Sequence, residues 1–195
     1  DAKLTPAGKK QAEVIAKKLK NKKIDIAFQT ELSRSKDTLK PILKTHPEIK
    51  EIITANRMIE RSYGDLEGMS HKKFIEMIGK ELFKLKYEGD AIENLSPELR
   101  KQAKQMLGEN EYKIIHRGYK TPPPHGESFY MVEKRVKKFI KKLKKFIKKE
   151  KVNVAISAHG NSIRLFRKIW ENKPIDEMQS WFIPYDKVYT YYIEA

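Results

Sequence analysis

The sequence predicts an α/β fold, a three-layer α/β/α arrangement around a mostly parallel sheet. Short apolar and β-branched runs at 24–28, 52–54, 152–156 and 188–193 are each long enough for one strand. Between them lie stretches whose apolar residues recur at helical spacing. Such alternation argues for parallel strands covered on both faces, with the chemically useful side chains converging at the strands' carboxyl ends.

Thr5 can cap a first helix with Pro6 at its first position, and Ala12, Ile15 and Leu19 continue one face. Gly8 within it costs about 1 kcal/mol relative to Ala, which suggests close packing. The strand at 24–28 leads to a helix from about Ser33, where Pro41 should kink or interrupt the ladder. A short strand at Ile52-Ile53-Thr54 precedes a loop around Glu60. Residues 70–115 read as helical, with Ser96-Pro97-Glu98-Leu99 starting a fresh helix. From Lys134 to Lys149, Val136, Phe139, Ile140, Leu143, Phe146 and Ile147 form an apolar stripe opposite a lysine face. The strand at 152–156, a helix after His159 and a final strand Val188–Ile193 complete the layout.

Length and a hydrophobic content of 39% fit one domain, 1–195, with an adequate core. No apolar run approaches the roughly 18 residues that span a bilayer. The absence of cysteine excludes disulfides and thiolate metal sites. A cytoplasmic location is the simplest reading, with neither a membrane nor a metal expected. The net charge of +16 invites nucleic acid as a partner. The lysine face reads better as a solvated helix surface, because no zinc-finger spacing, helix-turn-helix or RNA-binding aromatic motif accompanies it.

Three clusters carry the chemistry. In Ser157-Ala158-His159-Gly160-Asn161-Ser162-Ile163-Arg164, His159 ends a strand, and Gly160 allows close backbone approach. Asn161-Ser162 can cap the helix that starts near Ile163, whose free N–H groups suit an anion. In Glu60-Arg61-Ser62-Tyr63-Gly64-Asp65-Leu66-Glu67-Gly68 the apolar content is too sparse for a core element. In Leu32-Ser33-Arg34, a positive side chain in a helix's first turn opposes the dipole unless an anion is near.

Together these clusters resemble the histidine phosphatase superfamily, and more narrowly the cofactor-dependent phosphoglycerate mutases. The resemblance rests on Leu32-Ser33-Arg34, on Glu60-Arg61-Ser62-Tyr63-Gly64 and on Ala158-His159-Gly160-Asn161-Ser162-Ile163-Arg164. His116-Arg117-Gly118-Tyr119 and Pro122-Pro123-Pro124-His125-Gly126-Glu127-Ser128 are similar to the mutases' substrate-capping segment, an insertion around 70–130. Leu4-Thr5-Pro6-Ala7-Gly8 is similar to the start of their first helix. The fold implied is phosphoglycerate mutase-like, without the family's first strand in residues 1–195. That strand carries the family's nucleophile in an Arg-His-Gly motif, and none of His46, His71, His116, His125 and His159 stands in such a motif. Deleting a central strand would leave buried backbone groups unpaired. The expectation is therefore a fragment of a longer protein.

The resemblance implies Arg34, Glu60 and His159 as catalytic residues, with Glu60 shuttling the proton and the missing histidine becoming phosphohistidine. Arg61, Tyr63, Arg117, Gly160 and Asn161 would contact substrate, Asn161 through its backbone N–H, and Pro122–Pro124 would stiffen the capping segment. The implied reaction interconverts 3- and 2-phosphoglycerate, primed by 2,3-bisphosphoglycerate and needing no metal. The partner would be a small phosphorylated acid, with no nucleic acid; a homo-oligomer stays open. Two positions depart from the family pattern. His71, with Lys72 beside it, stands where a lysine is usual, and His116-Arg117 replaces paired arginines; these read as a shift and a tolerated variant, or as a changed substrate. A phosphatase acting on small phosphate esters and a non-catalytic basic nucleic-acid-binding protein are the alternatives.

Overall fold

The computed structural model describes residues 1–87 and 95–194. The part of the expected 70–115 helical stretch that falls on 88–94 lies outside the described residues. The chain divides into two compact units, one of Asp1–Arg61 with Met131–Ala195 and one of Ser62–Tyr130.

The first unit is built on a parallel three-stranded sheet. Its strands are β1 (Ile26–Gln29), β2 (Glu51–Thr54) and β3 (Val154–Ile156), in the order β2-β1-β3. The register pairs Ala27 with Ile52 on one side and with Ala155 on the other. β1 is buried on both faces, which is why its sequence is a continuous apolar run rather than an alternation. Helices α1 (Pro6–Leu19) and α2 (Ser33–Thr45) cover one face, where Ala16, Ala27, Leu39 and Ile42 share a core with Ile24. On the other face Phe28 meets Phe139 and Phe146 edge-on, at ring separations of 5.8 and 6.0 Å. Those phenylalanines belong to α5 (Phe129–Glu150), whose buried Val136, Phe139, Ile140 and Leu143 are the apolar stripe of the sequence. The three layers follow from this alternation of Ala27 and Phe28.

Pro41 lies inside α2, which continues from Ser33 to Thr45 as one helix. Burial of Leu39 and Ile42 on either side of the proline holds the helix although one backbone donor is missing. The last helix-forming turn starts earlier than expected: α6 spans Gly160–Trp170 with His159 as its N-cap, so Asn161 and Ser162 lie inside its first turn. Finally, 188–193 forms no strand. Exposure alternates residue by residue from Tyr189 onward as a strand's would, but no ladder partner lies beside it among the described residues. Side chains hold it instead. Tyr191 packs on Phe166 and Trp170 and hydrogen-bonds Glu171, while Arg167 lies over the rings of Trp181 and Tyr189. A short helix α7 (Ile175–Ser180) precedes this segment.

The second unit is dominated by two helices, α3 (His71–Tyr87) and α4 (Pro97–Arg117), the latter capped by the Ser96 hydroxyl on the N–H of Leu99. Its loops are packed back to back. Asp65 N donates to the Pro124 carbonyl at 3.1 Å, and Glu127 N to the Ser62 carbonyl at 2.9 Å. Gly64 has φ +55°, and a Cβ there would sit 2.0 Å from the Pro124 oxygen, so only glycine allows this approach. No helix among the described residues is long and apolar enough to cross a membrane.

Candidate active site

The carboxyl ends of β1 and β3 lie side by side, and the polar residues that follow them are bolted together. Ser35 Oγ donates to the Ser157 carbonyl and Ser157 Oγ to the Ser35 carbonyl, each at 2.8 Å. Ser35 Oγ also accepts from Thr30 N at 3.0 Å. This fixes the entrance to α2, which carries Arg34, against the strand that delivers His159. Ser162 secures the other side. Its hydroxyl accepts from His159 N at 3.2 Å and donates to the Met58 carbonyl at 2.7 Å, tying α6 to the turn (Asn56–Met58) that leads to Glu60.

His159 is 5% exposed, and its Nε2 lies 2.7 Å from the hydroxyl of the fully buried Thr30. Burial, reinforced by the charges of Arg34 and Arg135, pushes its pKa down to about 4. The imidazole is therefore neutral at pH 7, and the positive charge near it comes from Arg34 and Arg135. Glu60 is pushed the opposite way. Burial raises its pKa, and this outweighs the hydrogen bonds from Arg61 N and Asn161 N and the Arg34 charge, all of which act to lower it. Its Oε1 accepts from Arg61 N at 2.8 Å and from Asn161 N at 3.2 Å. A carboxyl that holds its proton more readily than an exposed glutamate thus sits on the first turn of α6. A Cβ on Gly160 would lie 3.8 Å from Glu60 Oε2, an ordinary van der Waals contact, so Glu60 packs directly against the start of α6.

An anion position is marked by a carboxylate. Asp1 Oδ2 accepts from Ser33 N at 2.7 Å, and Asp1 Oδ1 lies 3.7 Å from Arg34 Nη1. The N-terminus of α2 and Arg34 together therefore accept a negative group, as helix dipole and free N–H groups favour.

Arg34, Glu60, His159, Gly160 and Asn161 thus belong to one unit and surround the starts of α2 and α6. Arg61 belongs to it too, but is 1% exposed, an interior cation with partners inside the fold. The Asn161 side chain is engaged with Arg164 Nη1 at 3.1 Å, which leaves its backbone N–H for Glu60. Tyr63 and Arg117 belong to the second unit, where Arg117 closes α4. There Tyr63 stacks on His116 at 6.1 Å, Tyr112 stacks on His116 at 5.1 Å, and His71 lies 5.9 Å from His116. The two positions that depart from the family pattern are neighbours in space.

Sequence reasoning missed Thr30 and Arg135. Thr30 follows the end of β1, where polar residues of a parallel sheet gather, and that position was the available signal. Arg135 is the single arginine of a helix whose other cations are lysines. Among the described residues no group of three or more His, Asp and Glu side chains converges to hold a metal ion.

A sequence profile of the histidine phosphatase superfamily (branch 1) matches residues 1–93 and 96–194. The chain is 27% identical over 165 residues to a 2,3-bisphosphoglycerate-dependent phosphoglycerate mutase of Pseudoalteromonas atlantica, covering 84% of this chain and 71% of that one. It is 26% identical over 185 residues to the enzyme of the same name from Methanococcus vannielii, covering 94% and 77%. A phosphoglycerate mutase of Schizosaccharomyces pombe is 30% identical over 167 residues, and there the match spans 84% of this chain and 65% of the relative. Among solved structures, the α-ribazole phosphatase of Shigella flexneri superposes with TM-score 0.62 at 20% identity, over 90% of this chain and 70% of that one. Phosphoglycerate mutase of Bacillus anthracis does so with TM-score 0.58 at 17% identity, over 88% and 70%. These two share the fold. With a profile matching almost every residue, and with a strand-end histidine, a helix-start arginine and a buried glutamate of raised pKa in one unit, the chain belongs to the histidine phosphatase superfamily.

Proposed function

We propose that the protein interconverts 3- and 2-phosphoglycerate by phosphoryl transfer through a phosphohistidine. The observation that carries the reading is the Glu60 carboxyl, its pKa raised by burial, seated on the first turn of α6 beside the neutral His159. Phosphoryl transfer spreads negative charge over equatorial oxygens, so donors and cations must be fixed before the reaction. Arg34 supplies a planar cationic fork, and the α2 and α6 N-termini supply N–H groups. His159, being neutral, offers a hydrogen bond without adding a charge that would trap the anion. Glu60, protonated more readily than an exposed glutamate, gives a proton to the departing substrate oxygen and takes one back from the incoming hydroxyl.

The residues fit an acidic phosphate ester, as the Asp1 carboxylate on Ser33 N and Arg34 illustrates. On the mutase reading 2,3-bisphosphoglycerate supplies the priming phosphoryl group, and Arg34 with the first turn of α6 would hold it. The names of the curated relatives support the mutase over a phosphatase. None of the five histidines stands in an Arg-His-Gly sequence, so phosphohistidine formation is to be measured on the complete open reading frame.

A second reading, a phosphatase of small esters, is equally compatible with the matched family, the histidine phosphatase superfamily. Supplying 3-phosphoglycerate with a trace of 2,3-bisphosphoglycerate separates the two. Formation of 2-phosphoglycerate faster than free phosphate supports the mutase; predominant phosphate release replaces it with the phosphatase.

A further inference from the structure

Arg135 does what none of the lysines around it can. Its Nη1 donates to the Arg57 carbonyl at 2.8 Å and its Nη2 to the Glu60 carbonyl at 3.1 Å. The two carbonyls bracket the segment that leaves the Asn56–Met58 turn and ends at Glu60. A planar guanidinium holds two separate acceptors in fixed geometry, whereas an ammonium on a flexible stem is a point donor. Helical spacing explains why this cation turns inward. Arg135 lies three residues after the buried Val132 and four before the buried Phe139, so it borders the apolar stripe of α5 rather than its lysine face.

We infer that Arg135 is a positioning residue, which grips the Arg57 and Glu60 carbonyls and thereby sets where the Glu60 carboxyl meets the N–H of Asn161. Its charge acts separately. Arg135 and Arg34 are the cations that weigh against protonation of His159, from α5 and α2 respectively, so one side chain influences both titrating groups of the site. The clamp is an anchor for backbone, and its loss moves a carboxyl that has to be placed to within a fraction of an ångström. Misplacement of that order costs roughly 10- to 100-fold in rate.

The inference rests on the proton-carrying role proposed for Glu60, and the test keeps the two apart. In the complete protein, Arg135→Lys retains the charge and loses the fork, and Arg135→Met loses both. Both variants should lower kcat roughly 10- to 100-fold with little change in KM. His159, followed by imidazole NMR, should titrate unchanged in Arg135→Lys and at higher pH in Arg135→Met. Amide exchange gives a readout without activity: the Asn161 N–H, which Glu60 accepts, should exchange faster in both variants while the core of α1 and α2 stays protected. Full kcat in Arg135→Lys overturns the inference, as does a raised KM at unchanged kcat, which would make Arg135 a substrate contact. Uniformly faster exchange across the unit also overturns it, because the role would then be general packing. If Glu60→Gln retains full turnover, the proposed function fails while the exchange experiment still decides the clamp.

Discussion

The Glu60 carboxylate accepts the backbone N–H of Asn161 at 3.2 Å across 101 residues of sequence. One carboxyl oxygen therefore neutralises an orphan donor of α6 while the group as a whole is held away from water, and desolvation outweighs the donors in setting its pKa.

Glu60→Gln should separate catalysis from stability. The folded-state pKa lies above the unfolded value, so the neutral carboxyl's contribution to stability is complete below about pH 4.5 and is lost as pH rises through the folded pKa. A neutral isostere does not suffer that loss. The variant should match the parent protein in urea unfolding near pH 4 and be equally or more stable at pH 8. Turnover should fall by about 100-fold or more, the usual scale of general acid–base catalysis. A variant with full turnover, or with lower stability at pH 8 alone, contradicts the assignment.

His159 should produce the opposite slope. Its folded pKa of about 4 lies below the ordinary histidine value of 6.5, so its contribution is present above pH 6.5 and is lost as pH falls through 4. The difference corresponds to roughly 3 kcal/mol over that window. Unfolding midpoints at pH 7, 5.5 and 4 should decline in the parent protein and flatten in His159→Asn. Parallel declines in the two proteins would place the acid sensitivity elsewhere.

How much of this was legible in the sequence depended on whether the signal was local. β1 stood out because a strand buried on both faces is a continuous apolar run, and β3, though only partly buried, is likewise an unbroken apolar run. The 188–193 segment has the residues and alternation of a strand, but a ladder needs a neighbour, and no neighbour is encoded in the segment itself. Asn161 and Ser162 looked like caps because the residue types that suit an N-cap also suit the first turn; the long-range bond from Ser162 to Met58 decided their place. Arg34, Glu60 and His159 were visible as motif residues. Arg135 was hidden by company, since a cation in a basic amphipathic helix reads as solvated until its carbonyl partners, 75 and 78 residues away, are seen.

Gly64 and Gly68 separate backbone strain from steric exclusion. Both have positive φ, +55° and +74°, but an added Cβ meets the Pro124 oxygen at 2.0 Å in the first and nothing within 4 Å in the second. Gly68→Ala should cost about 1 kcal/mol, the left-handed penalty alone. Gly64→Ala should cost about 3 kcal/mol or more, because the loop of Pro123 to Gly126 must also move. Equal losses in chemical denaturation would mean that the two loops of the second unit are not packed as described.

Gly79 and Gly108 sit inside α3 and α4, where replacing glycine by alanine normally stabilises a helix by about 1 kcal/mol. The packing reverses that sign. A Cβ on Gly79 would lie 2.1 Å from the Lys104 carbonyl oxygen, and one on Gly108 2.0 Å from the Ile75 carbonyl oxygen. Each glycine therefore lets one helix backbone rest against the other, and rigid carbonyls cannot yield as a side-chain tip would. Gly79→Ala and Gly108→Ala should each destabilise by about 1–3 kcal/mol, the cost of overpacking. The double variant should cost less than the sum, because the first added methyl already forces the helices apart. Amide exchange within α3 and α4 reports the loss directly, and slower exchange in Gly108→Ala than in the parent protein would show that the helices do not cross at these glycines.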